Sequence, residues 1–355
     1  MGLPAKVVDT ATVTSLPAMF FEQAERLADR NFLWAKRDGS YRPLTWNEVA
    51  QQIKALATGL RNAGVQPGER VIIVSENRPE FLIADLAVIS IGAVAVPTYT
   101  TNTAVNHLHI IQNSGAKIII VSTPGLAKSV IAAATEAEHK VSIYVVDHPE
   151  NVMASSVDTR PWADLFEGDD HPVPAEIASL KRDDLCCLIY TSGTGGMPKG
   201  VMLTHGNILC NCYGALGVLE TLGIGDEVFL SFLPLSHAYE HTGGQFFPIS
   251  MGAEIYYAER VETLPANLVE ARPTIMTAVP RLYESMRLRI LQGLKRQSNF
   301  RRKLFDLAYR LGAKRYETPH AMTLWDKLLD FFAEKLVRKA VRERFGGRLK
   351  AMVAG

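Results

Sequence analysis

The stretch Tyr190-Thr191-Ser192-Gly193-Thr194-Gly195-Gly196-Met197-Pro198-Lys199-Gly200 is the most informative part of the sequence. An apolar run, Leu185–Tyr190, leads directly into it and predicts a buried strand. Its glycines let backbone amides approach an anion closely, its hydroxyls can donate to phosphate oxygens, and Lys199 adds a positive charge. We therefore predict that a strand feeds a loop that holds the phosphates of a nucleotide such as ATP.

The loop fits neither of two common phosphate-binding patterns. Counted from Gly193, the sixth position is Pro198, where both the Walker A and the dinucleotide patterns need glycine. Lys199 is also followed by Gly200, where Walker A needs Ser or Thr. A flexible surface turn is the simpler alternative, because clusters of Thr, Ser and Gly are usually loops. The full eleven-residue string is too specific for that alternative, so we favour a binding loop.

Strands and helices alternate on both sides of this loop. Continuous β-branched runs predict strands covered on both faces, and their alternation with helices predicts a mostly parallel α/β sheet. The predicted strands are 71–74, 94–97, 117–121, 141–146, 185–190, 227–232, 253–257 and 274–278. The predicted helices after the loop are 205–220, 243–250 and 261–271. The Pro- and acid-rich segment 147–180 is predicted to be a surface connection.

The first sixty residues are predicted to be helical. Thr45 and Glu48 have the spacing of a capping box at the start of one of these helices. The four cysteines (Cys186, Cys187, Cys210 and Cys212) have a poor spacing for zinc, so we predict free, buried thiols in a reducing cytosol.

Composition and charge narrow the class of protein. The 355 residues are 47% hydrophobic and carry a net charge of +1, so no nucleic-acid partner is predicted. No signal peptide is visible, and the apolar stretch 82–97 is interrupted by Asp85 and too short to span a bilayer. We expect a soluble, cytoplasmic protein.

Residues 281–345 differ from the rest of the chain. They are predicted to be nearly continuous helix with breaks near Ser298 and Thr318. Segment 281–315 holds eleven Lys or Arg residues against two acids. We favour a solvated basic face as its explanation. The alternative is a docking surface for anionic lipid or a polyphosphate cofactor, which would allow peripheral contact with the inner face of the membrane.

The phosphate loop resembles the signature of the adenylate-forming superfamily, which includes acyl-CoA synthetases, luciferases and peptide-synthetase adenylation domains. That signature is Tyr-Thr-Ser-Gly-Thr-Thr-Gly-x-Pro-Lys-Gly, and the chain departs from it at Gly195, where the family has threonine. The resemblance implies an α/β fold like the large N-terminal domain of an acyl-CoA synthetase, with mostly parallel sheets flanked by helices. It extends from about residue 15 to the last residue.

A second segment, Leu233–Glu240, is similar to the Pro-Leu-Ser-His-x-Tyr-Glu form of the long-chain acyl-CoA synthetases. That resemblance implies that His237 lies beside the acyl carboxylate and the α-phosphate. The same residues also match the H-x-x-E-H pattern of some zinc proteases, through His241. Pro234 before the string and Gly243 after it disfavour a helical turn there, so the zinc hydrolase is the weaker interpretation.

The resemblance implies activation of a long-chain fatty acid by ATP, with Mg²⁺, to acyl-AMP and then to acyl-CoA, with coenzyme A as co-substrate. Other adenylate-forming enzymes, a fatty-acyl-AMP ligase or an aryl-CoA ligase, are the alternative. Lys199 and His237 are the candidate catalytic residues, Thr191 the candidate magnesium contact, and Glu240 a candidate cofactor-site partner. The candidate phosphate-binding residues are Thr191, Ser192, Gly193, Thr194, Gly195, Gly196 and Lys199.

The resemblance also implies an order of parts within residues 1–355. We expect a first α/β subdomain over 1–180, a phosphate-loop and acyl-site subdomain over 181–280, and a basic helical insertion over 281–345. The family's adenine and ribose motifs and its small C-terminal domain do not occur before Gly355. We therefore expect a truncated N-terminal domain that is inactive or weakly active by itself. A homodimer remains open.

Overall fold

The structure is a computed structural model that describes residues 7–148, 157–166, 168, 171–191 and 196–354. Two units are distinguished along the chain, a larger one that ends at Glu259 and a smaller one that begins at Arg260. The subdomain boundaries expected at residues 180 and 280 stay predictions.

The larger unit begins with a helix, a β-hairpin and a second helix. These are α1 (Leu16–Leu27), β1 (Asn31–Arg37), β2 (Ser40–Thr45) and α2 (Trp46–Asn62). The prediction of helix throughout the first sixty residues was therefore wrong. Asp38 and Gly39, with φ of 52° and 78°, form the two-residue turn, for which Asp-Gly is a favoured pair. The capping box is confirmed, because Thr45 Oγ1 accepts from Glu48 N and the Glu48 carboxylate accepts from Thr45 N.

A seven-stranded sheet follows, and it confirms the predicted mostly parallel α/β fold. Its strands are β3 (Arg70–Val74), β4 (Val94–Thr98), β5 (Ile118–Val121), β6 (Ser142–Val145), β7 (Asp158–Pro161), β8 (Leu185–Thr191) and β9 (Lys199–Thr204). Helices α3 (Pro79–Ser90), α4 (Ala104–Ser114) and α5 (Pro124–Thr135) connect the early strands. The order across the sheet is β7-β6-β5-β3-β4-β8-β9, and only β8 and β9 pair antiparallel.

The inner strands are buried as their β-branched composition predicts. Ile118–Val121 and Val71–Val74 are all buried, because helices cover both faces of a parallel sheet. Strand β9 is antiparallel, and none of its residues is fully buried. It was not predicted, because its apolar run Val201–Leu203 is only three residues long and follows the glycine-rich loop.

The rest of the larger unit adds two strands to a second sheet, which also contains β1 and β2, and it holds the second candidate segment. Its elements are α6 (His205–Leu219), β10 (Val228–Ser231), α7 (Ala238–Glu240), a π-helix (His241–Phe246), α8 (Phe247–Ser250) and β11 (Glu254–Tyr257). Strand β11 pairs parallel with both β10 and β1. The predicted helix 243–250 therefore starts earlier than expected, directly after His237.

The smaller unit is mostly helical. It contains α9 (Leu264–Ala271), β12 (Ile275–Ala278), α10 (Pro280–Lys295), α11 (Asn299–Glu317), α12 (Leu324–Ala333), a π-helix (Glu334–Arg338), α13 (Lys339–Glu343) and β13 (Ala351–Ala354). Strands β12 and β13 pair parallel. The predicted breaks are confirmed, since Ser298 caps α11 and Thr318 follows its last residue. Within the described residues, none of the helices combines the length and the apolar character needed to cross a bilayer.

Candidate functional site

The β8–β9 hairpin fixes the two ends of the phosphate loop. Thr191 and Lys199 are paired directly across the hairpin, and both side chains are exposed. Four predicted loop residues (Ser192, Gly193, Thr194 and Gly195) lie outside the described part of the chain. The pairing places one hydroxyl and one ammonium group at the base of the loop, where both can contact the same anion.

Gly196 is the described loop glycine whose backbone requires a glycine. Its φ is +149°, a conformation that residues with a side chain rarely adopt. A Cβ built on Gly196 would meet no atom within 4 Å, so the space beside this backbone is open. The backbone at Gly196 is therefore open on this side, as close approach of a phosphate requires.

Helix α4 supports the loop from behind. His109 Nε2 donates to the Pro198 carbonyl at 2.8 Å, and Tyr190 Oη donates to Asn113 Oδ1 at 2.7 Å. The His109 and Tyr190 rings also meet edge to face, with centroids 6.3 Å apart. A Cβ on Gly200 would lie 3.1 Å from the Tyr190 ring, so that glycine allows the ring to pack under β9. The sequence offers no local signal for His109 or Asn113, since both act across a long sequence separation.

The second candidate segment is held by Asn77, which follows β3. The Asn77 side-chain amide donates to Leu233 O at 2.7 Å and to Ser231 Oγ at 3.0 Å. Its Oδ1 accepts from Leu235 N at 3.2 Å. Three hydrogen bonds from one side chain thus fix the chain just before His237. Sequence reasoning missed Asn77, which supports this candidate segment.

The seven-stranded sheet brings the start of the phosphate loop and Asn77, which holds the second candidate segment, to the same edge. Strands β3 and β8 are both parallel neighbours of β4, so their carboxyl ends lie on one side of the sheet. Thr191 ends β8, while Asn77 follows β3. Two strand spacings separate these strands, which corresponds to about 10 Å. Thr191 and the support of the second segment therefore lie near one another at this edge of the sheet.

His237 is exposed and caps the short helix α7. Its Nδ1 accepts a hydrogen bond from the Tyr239 backbone amide at 3.2 Å. The neutral imidazole then carries its proton on Nε2, because a nitrogen that accepts is not protonated. His237 can therefore donate from Nε2 to an oxygen of a carboxylate or a phosphate.

Glu240 is fully buried rather than open to a ligand. Its Oε1 accepts from Ser231 Oγ at 2.7 Å, which links α7 to the end of β10. Pro234 and Gly243 were expected to disfavour a helical turn over 237–241, and this expectation was wrong, because the chain is helical from Ala238. His237 supplies a cap, and Gly244 serves close packing rather than breaking the helix, since a Cβ there would lie 2.3 Å from Glu240 Oε1.

We expect Gly244→Ala to destabilise the fold by about 1–3 kcal/mol, the usual cost of overpacking. The buried Glu240 carboxylate cannot move aside without losing its bond to Ser231. The matched control is Gly214→Ala in α6, where a Cβ meets nothing within 4 Å; it should stabilise the helix by about 0.5–1 kcal/mol. Urea denaturation of both variants measures the difference, and equal stabilities would refute the packing account.

A buried ion pair lies beneath the second segment. His241 Nε2 lies 3.5 Å from Asp85 Oδ2, and both side chains are about 1% exposed. Burial disfavours the charged imidazole, but the Asp85 carboxylate beside it outweighs burial, and the pKa of His241 is raised to about 9. Burial raises the pKa of Asp85, against the opposing effects of His241 and of Gln245, whose amide donates to Asp85 at 2.6 Å. His241 Nδ1 donates to Leu235 O at 3.1 Å and so steadies the chain before His237.

The zinc interpretation of the H-x-x-E-H string finds no support in this geometry. His241 uses its ring nitrogens on Leu235 and Asp85, and Glu240 binds Ser231. Zinc ligands need imidazole nitrogens and carboxylate oxygens that are turned toward a common point. Across the described ranges, no group of three or more His, Cys, Asp or Glu side chains is arranged to hold a metal ion.

The cysteines are free, but they are not all buried as predicted. Cys210 is exposed on α6, whereas Cys186, Cys187 and Cys212 are buried. The Cys186 thiol and burial raise the pKa of Cys187, and burial raises the pKa of Cys212 to about 12. These two thiols are therefore protonated at neutral pH and unsuited to act as nucleophiles.

Comparison with known sequences finds relatives of this chain among the long-chain-fatty-acid–CoA ligases. ACSBG2 of Mus musculus, a long-chain-fatty-acid–CoA ligase, is 30% identical over 312 residues, 85% of this chain and 47% of that protein. FadD15 of Mycobacterium tuberculosis, also a long-chain-fatty-acid–CoA ligase, is 32% identical over 279 residues, 77% of this chain and 44% of that protein. The chain thus spans about half the length of the curated relatives it matches.

Solved structures show the same fold. A benzoate CoA ligase from Burkholderia xenovorans LB400 superposes with a TM-score of 0.64 at 27% identity, over 76% of this chain and 51% of that one. The N-terminal domain of FACL13 from Mycobacterium tuberculosis gives a TM-score of 0.64 at 23% identity, over 78% and 65% of the two chains. The sequence profile of the AMP-binding enzymes matches residues 20–353, nearly the whole chain. The chain therefore belongs to the AMP-binding enzyme family.

Proposed function

We propose that this chain carries the phosphate loop and acid-binding segment of a ligase that activates a long-chain fatty acid with ATP and passes it to coenzyme A. The observation that supports it most is the hairpin base, with Thr191 opposite Lys199, at the sheet edge where Asn77 holds the His237 segment. Because the chain spans about half of its curated relatives, the activity proposed is that of the whole protein.

In the first step, a carboxylate oxygen of the acid bonds to the α-phosphorus of Mg-ATP, and pyrophosphate leaves. In the second step, the coenzyme A sulfur bonds to the acyl carbon, its proton goes to solvent, and AMP leaves. The chain's task in the first step is to position the reactants and neutralise charge. Seven residues are proposed to hold the β- and γ-phosphates: Thr191, Ser192, Gly193, Thr194, Gly195, Gly196 and Lys199.

The donor groups at the hairpin base suit Mg-ATP as a substrate. Thr191 offers one hydroxyl oxygen, and Mg²⁺ is commonly held by few protein oxygens together with phosphate oxygens and waters. Lys199 offers a charge directly opposite. We propose Thr191 as the magnesium contact and Lys199 as the phosphate contact. Glu240, being buried on Ser231, supports the segment rather than touching the nucleotide.

His237 is proposed to act on the acid side of the reaction. Its Nε2–H can donate to the attacking carboxylate or to an α-phosphate oxygen, where negative charge builds up in the transition state. The hydrogen bonds that Asn77 and His241 make to the chain before it hold this imidazole in place. Pre-organised donors of this kind contribute most when they need not rearrange during the reaction.

The choice of a long-chain fatty acid rests on the named activities of the relatives with 30% and 32% identity. The benzoate CoA ligase structure favours an aryl acid as the second candidate. Product analysis separates them: palmitate, benzoate and coenzyme A are supplied with Mg-ATP to the full product of the gene. We expect palmitoyl-CoA; benzoyl-CoA alone would favour an aryl-CoA ligase, and palmitoyl-AMP without thioester a fatty-acyl-AMP ligase.

A further inference from the structure

Helix α4 is anchored to the larger unit at both of its ends. At its first turn, Thr103 and Asn106 form a capping box, in which each side chain accepts from the backbone amide of the other residue. At its last turn, the guanidinium of Arg70, the first residue of β3, donates to the Ser114 carbonyl. Between these ends, Ile110 belongs to the same buried hydrophobic core as residues of β3 and β5. The helix is therefore a rigid support for the side chains on its surface.

Two side chains on α4 hold the two ends of the candidate phosphate loop. His109 and Asn113 are four residues apart, so they lie one turn apart on the same face of the helix. Asn113 Oδ1 accepts from Tyr190 Oη at 2.7 Å, on the strand that enters the loop. His109 Nε2 donates to Pro198 O at 2.8 Å, where the chain leaves the loop. We call His109 and Asn113 the α4 clasp.

The hydrogen bond from His109 fixes the peptide that joins Pro198 to Lys199. Proline has no backbone N–H, so its carbonyl is the backbone group through which Pro198 can be hydrogen-bonded. In a planar trans peptide, the carbonyl and the following N–H point in opposite directions. Because Pro198 O is turned toward α4, the Lys199 amide is directed away from that helix. The clasp thus sets how Lys199 starts β9, opposite Thr191.

We propose that the α4 clasp positions Lys199 for the phosphates of the nucleotide, which makes His109 and Asn113 positioning residues of the candidate site. Both act on the chain at the ends of the loop and influence the nucleotide through it. A loop that is already tethered at both ends loses less conformational freedom when an anion binds, and binding is tighter for that reason. This inference rests on the proposed role of the loop in binding Mg-ATP.

His109→Phe tests the clasp, since it keeps an aromatic ring against Tyr190 and removes the Nε2 donor. In the full product of the gene, we expect it to weaken the binding of Mg-ATP by about two- to tenfold, the range that one neutral hydrogen bond contributes. His109→Gln should restore most of the affinity, because the glutamine side-chain amide can donate at the same place. Titration calorimetry with Mg-ATP measures the dissociation constants of the parent and of both variants.

A double-mutant cycle with Lys199→Ala tests whether His109 acts through Lys199. If it does, His109→Phe should change the dissociation constant by less than about twofold once the Lys199 ammonium is removed. A role in general stability alone would weaken binding by the same factor with and without Lys199. An equal factor in the two backgrounds would therefore contradict the positioning role.

The matched control is His139→Phe. His139 is also half-buried, and its Nε2 donates to a backbone carbonyl, that of Ala116, at 2.9 Å. This control should bind Mg-ATP like the parent, while urea denaturation shows a loss of stability similar to that of His109→Phe. Unchanged Mg-ATP binding in His109→Phe, or a loss that His109→Gln does not restore, would overturn the proposal. Failure of the proposed function is seen separately, as Mg-ATP binding that Lys199→Ala leaves unchanged, and the clasp proposal would fall with it.

Discussion

Lys199→Ala is expected to weaken the binding of Mg-ATP roughly 10- to 150-fold, since a hydrogen bond to a charged group contributes about 1.5–3 kcal/mol. Lys199 opens β9 directly opposite Thr191, and its side chain is exposed. Its removal should therefore leave the hairpin intact. Titration calorimetry with Mg-ATP measures the dissociation constant of the parent chain and the variant.

The control for this prediction is Lys140→Ala, which removes an exposed lysine from the same unit, away from the hairpin. It should bind Mg-ATP like the parent chain, because exposed charges at a distance are screened by salt. If Lys199→Ala and Lys140→Ala give the same dissociation constant as the parent, Lys199 does not contact the phosphates, and the assignment of the loop fails.

Asp85→Asn is expected to cost about 3 kcal/mol of folding stability at neutral pH and less at alkaline pH. Asp85 and His241 form a fully buried pair, and the pKa of His241 is raised from 6.5 to about 9. A group whose pKa is higher in the folded protein than in the unfolded chain stabilises the folded protein most when the group is protonated. The contribution is therefore fully present below about pH 6.5 and is lost as the pH rises through about 9. Burial raises the Asp85 pKa too, so the folded state favours the protonated form of that carboxyl more than the unfolded chain does.

Urea denaturation of the parent chain and of Asp85→Asn at about pH 6.5 and about pH 10 measures this difference. We expect the difference in the free energy of unfolding between the two proteins to narrow as the pH rises. Other groups that titrate at alkaline pH are present in both proteins, so their effects cancel in the comparison. The control is Asp147→Asn, which breaks a half-exposed pair with Arg78 and should cost less than about 1 kcal/mol at either pH. A gap for Asp85→Asn that does not change with pH would show that His241 is not charged in the folded protein.

Short sequence patterns predicted those strands and loops whose own residues indicate their structure. The isoleucine run at 118–120 predicts a buried strand, because a continuous run of β-branched residues is typical of strands covered on both faces. The loop at 190–200 could be recognised from its glycine, hydroxyl and lysine residues. The Asp38-Gly39 pair is also a local signal for a β-hairpin, but it was missed because the first sixty residues were predicted to be helical. The early start of the helix after His237 depends instead on the packing of Gly244 against Glu240.

The candidate site could be predicted only in part. Thr191, Lys199 and His237 belong to recognisable strings, and the structure adds the register that sets Thr191 opposite Lys199. Asn77 and His109 could not be predicted, because their roles arise from hydrogen bonds to segments far along the chain. Such support follows from the strand order of the sheet, which no single stretch of sequence contains.

We propose that the loop at 190–200 and the segment around His237 together activate a carboxylic acid with ATP. Palmitate-dependent exchange of pyrophosphate into ATP tests it most directly, measured on the 355-residue chain and on the full product of its gene. We predict exchange that requires palmitate and Mg²⁺ in the full product and is reduced by Lys199→Ala. Absence of exchange in the full product with palmitate, benzoate or any other carboxylic acid supplied would contradict the account.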